Sequence, residues 1–278
     1  MMNNNSINQT PIPPQTIIED ATQVTLIRNA NFINTQGPIT NREVLSYRDA
    51  RGLIIYFWLY QQGHRTIFGH FYKARKVQLV AAENQDGAPT FTPIKTTELA
   101  IKCVSIEKYY TLRGRELEDP LKEMDLSTRV QQIRTPRDLV TNHVIMPLKM
   151  LKNQTHWYFV SQLANGGDLF EFIHDRKRDC DGNIANQRLF RQMTTSIHFL
   201  HSLTIFHRDL SAENFVLNLN QQGQPHSAYV IDFGQAMSIP PPMPGENDTI
   251  QHRGRHGKVS LSITGLLSLC HNFISFFR

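Results

Sequence analysis

Cysteine is scarce in this chain: Cys103, Cys180 and Cys270 are the three present in 278 residues, and no two of them stand at CxxC spacing. That count and spacing exclude a disulfide-built secreted scaffold and a paired-thiolate zinc or redox site, and leave reduced thiols in the cytoplasm as the expectation. The opening "MMNNNSINQTPIPPQTIIED" lacks the basic stretch and apolar run of a secretory signal. Its Asn, Gln and Pro content predicts a flexible leader over residues 1–50, with short strands at most. Basic residues exceed acidic ones by 29 to 24, but Arg253, Arg255, Lys258 and Arg278 supply much of that excess. No basic stripe interleaved with aromatics accompanies it, so nucleic acid is not an expected partner. Internal repeats are absent as well.

What is present is enough apolar material, 40% of residues with 16 phenylalanines, for one large core or two modest ones. "LIIYFWLY", Leu53 to Tyr60, reads as a buried strand, too short to span a membrane. "GHFYKARKVQLV" and "LAIKCVSI" read as two more strands, with the polar "AAENQDGAPTFTPIKTTE" between them as a surface loop. From Glu116 the pattern turns helical until Pro136. Two strands follow in "HVIMPLKMLKN" and "HWYFVSQL", and a helix starts in "NGGDLFEFIHDRKR" with Asp168 and Glu171 in its first turn. Leu189, Met193, Ile197 and Leu200 keep helical spacing through Ala185 to Leu203, a core helix; "FVLNL" and "AYVIDF" then form a hairpin. The loop "HDRKRDCDG", although it holds His, Cys and Asp, has no paired ligand spacing and reads as a solvated connection.

Four chemically loaded positions stand in chain order on these elements: Lys102 on a strand, Glu123 on a helix, Asp209 with Asn214 in a turn, and Asp232 at the head of Asp232-Phe233-Gly234. Each is unremarkable alone. With "HRDLSAEN", "IDFG", "LAIK" and "GGDL", however, the chain resembles the eukaryotic protein kinase family from about Tyr56 to Lys258.

The resemblance implies an α+β, protein-kinase-like two-lobed fold: a small antiparallel sheet plus one helix in the N-lobe over 51–161, and a mainly helical, incomplete C-lobe over 162–258. It implies transfer of the ATP γ-phosphate to protein Ser or Thr, with Mg²⁺ as the metal and a protein as the second substrate. Positioning and charge neutralisation carry such catalysis. By similarity Lys102 holds the α- and β-phosphates and Glu123 pairs with it. Asp209 orients the substrate hydroxyl and accepts its proton, and Asn214 and Asp232 supply oxygen ligands to Mg²⁺. Gly69 belongs to the phosphate loop. Ser161, Gln162 and Ala164 border adenine, and Asp168 is either near the ribose or a helix-start carboxylate favoured by the dipole. His207 and Phe233 would pack behind the site.

Departures from the family pattern are equally plain. The glycine loop reads His64, Thr66 and Gly69, so only its third glycine is kept, and Ser211 stands where Ser/Thr kinases carry a lysine. Tyrosine kinases also lack that lysine, but "AEN" follows the Ser/Thr form. Glu123 is chosen over Glu116 and Glu118 because it lies 21 residues after Lys102, beyond the helix-starting Pro120. Ser127, one turn on, is more polar than the apolar residue expected there. Thr249 is a candidate phosphosite that would pair with Arg208. After Lys258 the Ala-Pro-Glu motif is missing, and residues 259–278 read as an aberrant hydrophobic tail: a retained intron, a tail anchor, or a replacement core helix. A membrane partner enters only through the anchor reading. The alternative to an active enzyme is a truncated kinase-like protein that acts by binding or regulation.

Overall fold

The computed structural model describes residues 17–18, 21–35, 38–81, 87–95, 98–115, 118–175 and 183–238, with backbone alone at 175 and 183–185. Glu116, the loop 176–182, Thr249 and the tail 259–278 therefore lie outside the described residues. Two compact units divide the chain. A sheet unit takes Pro13–Glu116 and Pro147–Leu163, and a helical unit takes Met1–Ile12, Leu117–Met146 and Ala164–Arg278.

In the sheet unit the strands are β1 (Thr22–Gln23), β2 (Thr25–Ile27), β3 (Asn31–Phe32), β4 (Val44–Arg48), β5 (Ile54–Arg65), β6 (Gly69–Ala81), β7 (Thr90–Pro93), β8 (Leu99–Ser105), β9 (Lys149–Lys152) and β10 (His156–Gln162). They join in the order β1-β9-β10-β8-β6-β5-β4-β2. The two ends of that order, β1 and β2, are separated in the chain by Val24 alone, whose N–H donates to the Lys152 carbonyl at 2.8 Å. The segment from Thr22 to Ile27 thus pairs with β9 on one side and β4 on the other, and the sheet closes on itself. Six strands plus this shared segment make an odd ring. An odd ring of alternating strands must contain one parallel pair, and β1–β9 is that pair.

Alternation along each strand then sorts side chains to the two surfaces of the ring. Val24, Leu45, Phe57, Leu59, Ala74, Ile101, Cys103, Leu151, Tyr158 and Val160 cluster on the inside. Ala30, Val44, Trp58, Val77 and Phe91 form a second cluster, with Phe32 of β3 packed against it. Each such fully buried large side chain is worth about 1.5–3 kcal/mol of transfer free energy.

These strands correct three sequence expectations. The leader does not extend to residue 50, because β1, β2 and β4 within it build the ring and β3 pairs with β7. The loop between β6 and β8 contains β7, where Phe91 is fully buried. And the sheet is neither small nor wholly antiparallel. Leu53 and Ile54 are exposed, whereas Phe57, Trp58 and Leu59 carry the burial of β5. Ser105, read as strand, also caps a short helix, α1 (Ile106–Leu112), by accepting the Lys108 N–H.

The helical unit holds α2 (Pro120–Ile133), α3 (Pro136–Thr141), α4 (Leu169–Asp175) and α5 (Asn183–Ser202), with the strands β11 (Ile205–Phe206), β12 (Phe215–Leu219), β13 (Pro225–Val230) and β14 (Met237–Ser238). The helix bearing Glu123 is α2, so it groups with this unit and not with the sheet. Leu189, Met193, Ile197 and Leu200 are buried on the inner stripe of α5, as their spacing predicts. They meet Leu126 and Val130 of α2, Leu139 of α3 and Phe215, Leu217, Ala228 and Val230 of the β12–β13 hairpin in one core. Ser127 is fully buried, and its hydroxyl accepts from Gln131 Nε2 at 2.8 Å, which explains a polar residue at an apolar position.

Pro136 ends α2 and also starts α3, as proline at a first helical turn can. Thr135 closes a capping box there: its hydroxyl accepts the Asp138 N–H while the Asp138 carboxylate accepts the Thr135 N–H at 2.8 Å. Thr135→Ala is expected to cost about 1 kcal/mol, read as a lowered urea midpoint at unchanged slope.

Candidate active site

In the helical unit the loop between β11 and β12 is built by short-range bonds. Asp209 and Asn214 are both buried. Asn214 Nδ2 donates to the Asp209 carbonyl at 2.7 Å and to its carboxylate Oδ2 at 3.1 Å. A single 3₁₀ turn, Ala212–Asn214, brings the two residues face to face, and the Asn214 N–H donates to the Ser211 carbonyl. With both amide hydrogens so used, the Asn214 side-chain oxygen is turned away from Asp209 and keeps its lone pairs.

The same loop is tied to the Asp232 segment. The Ile231 N–H donates to the Asn214 carbonyl at 3.0 Å, extending the β12–β13 ladder by one rung. His207 sits beneath, its Nε2 against the Ile231 carbonyl at 2.8 Å and its Nδ1 accepting from the Asp209 N–H at 3.3 Å. One nitrogen donates and the other accepts, which is the pattern of a neutral ring carrying its proton on Nε2. Burial pushes the His207 pKa down, against the Ile231 carbonyl and the charges of Asp232 and Asp209, in keeping with that state. Its ring lies 5.0 Å from the fully buried Phe233.

Two residues here hold left-handed backbone without being glycine: Arg208 at φ 67° and Asp232 at φ 62°. Such conformations cost roughly 1–3 kcal/mol each and persist where surroundings over-determine them. At Asp232 the determinants are visible. Its Oδ1 accepts the Gly234 N–H, the Phe233 N–H donates to Glu123 Oε1 at 3.4 Å, and the Gly234 carbonyl accepts the Asp119 N–H at 3.0 Å. A Cβ at Gly234 would stand 2.4 Å from Glu118 Cγ, so any larger residue there must displace the Glu118 side chain. Asp119, absent from the sequence-derived site, thus both caps α2, accepting the Leu121 N–H, and anchors the Asp-Phe-Gly turn. The signal for it was the Asp-Pro step that opens α2.

The structure brings Asp209, Asn214, Asp232 and Glu123 into one unit, with Asp168 and Ala164 at its other strand end. Asp168 Oδ1 accepts the Glu171 N–H at 2.7 Å, the bond of a helix cap, and Asp168 also bridges to Val216 of β12. Asn165, another residue that sequence reasoning passed over, locks this connection by accepting the Leu219 N–H while its own N–H donates to Asn218 Oδ1. Lys122 lies near Arg208: burial first, then that guanidinium, lowers its pKa.

In the sheet unit Lys102 is central on β8, flanked by Phe71 of β6 and Phe159 of β10. Ser161 pairs with Ala100 and its hydroxyl donates to the Ala100 carbonyl at 3.4 Å, while Gln162 pairs with Leu99. Gly69 opens β6 after a tight turn in which Thr66 and Gly69 exchange backbone bonds. A Cβ on Gly69 would come within 2.0 Å of the Cys103 carbonyl, so this glycine is dictated by strand approach. At the position of the missing first loop glycine, the His64 ring stacks on Phe71 with centroids 5.4 Å apart.

The donor set suits a hard divalent cation. An amide oxygen from Asn214 and a carboxylate from Asp232 are the oxygen ligands Mg²⁺ prefers. Among the described residues no group of three or more His, Cys, Asp or Glu side chains is placed to hold a metal ion.

Comparison with known proteins gives a consistent picture. The family described as the protein kinase domain matches residues 95–251, more than half of the chain. A probable serine/threonine-protein kinase of Dictyostelium discoideum is 28% identical over 142 residues, covering 50% of this chain and 17% of that protein. Calcium-dependent protein kinase 4 of Plasmodium berghei is 26% identical over 178 residues, 63% of this chain and 30% of the relative. Calcium-dependent protein kinase 29 of Arabidopsis thaliana is 28% identical over 137 residues, 49% and 23% respectively. The chain therefore spans less than a third of the length of each of these relatives. Residues 22–94, which include most of the closed sheet and the altered glycine loop, fall outside the family match.

Proposed function

Because the chain belongs to the protein kinase domain family, we propose that it transfers the γ-phosphate of Mg-ATP to a protein Ser or Thr hydroxyl. One observation carries the reading: Asn214 holds the Asp209 carboxylate and carbonyl with its amide while its own carbonyl takes the Ile231 N–H beside Asp232. The positions read here as general base and metal ligands are tied together by the Asn214 side-chain amide and one backbone bond. Asp209 orients the attacking hydroxyl and takes its proton. Asn214 Oδ1 and the Asp232 carboxylate would hold Mg²⁺, which would supply charge neutralisation at the phosphates. Glu123 supports the turn that aims Asp232. By the family resemblance, Lys102 and Gly69 would serve the phosphates, Ser161, Gln162 and Ala164 the adenine, and Asp168 the ribose. The relatives' names and the "AEN" of the loop favour Ser/Thr over Tyr. The three scattered cysteines, of which Cys103 is a free buried thiol, support a reducing cytoplasmic setting. Among the described residues no helix is long and apolar enough to cross a membrane.

A second reading is a kinase-like protein that acts by binding. It draws on His64 stacked where a glycine would leave room, and on Ser211 in place of a lysine. Thermal unfolding with Mg-ATP separates the two. Ligand at a hundred times its Kd adds about 2.7 kcal/mol to the folded state. We expect a clear rise in Tm with Mg-ATP, lost in Asp232→Asn and lost when EDTA removes the metal. Equal melting with and without nucleotide would favour the binding reading. Radiolabelled transfer to a Ser/Thr/Tyr peptide mixture, followed by phosphoamino-acid analysis, then tests the acceptor.

A further inference from the structure

The closed sheet has a mouth. At one end of the ring lies a cavity of about 650 Å³, within the size range of small-ligand sites, and barrel mouths are a common place for them. Its inner wall is Leu59, Cys103 and Tyr158, residues of the interior cluster. Cys103 and Lys102 are neighbours on β8 and so face opposite surfaces of the strand. The mouth is therefore distinct from the lysine surface assigned to nucleotide, and the inference does not rest on kinase activity.

Two opposite charges stand at the rim. β2 and β4 pair antiparallel with Leu26 opposite Leu45 and Ile27 opposite Val44. Arg28 and Glu43 are the next residues along the two chains beyond that ladder, and both line the cavity. Glu43 lines the cavity together with Tyr72, Cys103, His156 and Tyr158. Burial, then the Glu43 charge, pushes the Cys103 thiol up to about 12, so the wall stays neutral. Among the described residues neither Glu43 nor Arg28 forms an ion pair; Glu43 Oε2 accepts one long bond from Asn41 Nδ2, 3.4 Å. Tyr158 accepts from Asn153 Nδ2 at 3.1 Å, and keeps its own hydroxyl proton to donate.

A ligand of single charge would meet only one of the two rim groups, the exposed Arg28 or the half-buried Glu43. A ligand carrying both signs a few ångströms apart matches both. We propose that the mouth of the closed sheet binds a small zwitterion of the amino-acid or dipeptide class. Its ammonium meets Glu43, its carboxylate meets Arg28, and an apolar side chain packs on the partly exposed Leu26 and Tyr72.

Calorimetric titration of the full chain with the dipeptide Leu-Phe tests this, with N-acetyl-Leu-Phe and Leu-Phe amide as single-charge controls. Saturable binding is expected for Leu-Phe, weakened at least about tenfold by either blocking group and by Glu43→Gln or Arg28→Ala, while stabilisation by Mg-ATP is unaffected. Absence of binding at about 10 mM overturns the proposal. So does equal binding of the blocked peptides, a comparison that uses unsubstituted protein and does not depend on how the variants fold.

Discussion

Asp209→Asn is expected to reduce phosphotransfer at least about a thousandfold while leaving Mg-ATP stabilisation and the melting temperature nearly unchanged. The local geometry explains the separation. Asn214 Nδ2 donates to the backbone carbonyl and to one side-chain oxygen of residue 209, and an asparagine there still offers both acceptors. The His207 bond comes from the residue 209 N–H and is indifferent to the substitution. What disappears is the negative charge and the basicity that would receive the hydroxyl proton. Radiolabelled transfer by the variant within tenfold of the unsubstituted chain would remove Asp209 from its role and with it the proposed mechanism.

Gly69→Ala should have the largest effect on stability. The added Cβ would sit 2.0 Å from the Cys103 carbonyl oxygen and 3.1 Å from its carbon, both backbone atoms of the adjacent strand. Neither can turn aside, so β6 and β8 must part at the pair Gly69–Val104. We expect a loss of about 3 kcal/mol, the upper end for overpacking, measured as a fall in urea midpoint. Gly63→Ala provides the comparison. Its Cβ would meet the Phe71 ring at 2.5 Å, and a ring can rotate, so the cost should stay near 1 kcal/mol. If the two variants unfold at the same urea concentration, the close approach of β6 to β8 is not what demands a glycine at 69.

The parts of this fold that could be read in the sequence are those whose signal is local. The core stripe of α5 repeats every three or four residues, and Leu189, Met193, Ile197 and Leu200 bury as that period requires. The bond between Asp209 and Asn214 spans five positions, which a single turn closes. Elsewhere the determining partner was remote. β7 buries only Phe91 fully and is flanked by turn residues, so its composition reads as loop; its pairing with β6 and β3 makes it strand. Helix α1 was hidden because "LAIKCVSI" runs apolar through Ile106, and only the Ser105 cap marks the change. Closure of the sheet was least legible, because it depends on "TQVTLI", six residues that look like a fragment of leader. The grouping of α2 with the helical unit had no signal in its own stripe, since Leu126 and Val130 would suit any apolar surface; their neighbours Leu139 and Ile197 decide it.

The parallel seam of the ring has kinetic weight as well. β4, β5 and β6 follow one another through short turns, so their pairing can form early. Thr22 must find Leu151, nearly half the chain away, and that search pays loop-closure entropy before any rung rewards it. The seam is two residue pairs long, so little enthalpy accrues until Val24 docks inside. The ring should therefore spend its folding time as an open ribbon with β9 and β4 unpartnered at its margins. Those margins are templates for another copy of the chain, and refolding yield should fall with protein concentration unless Thr22 to Ile27 latches first.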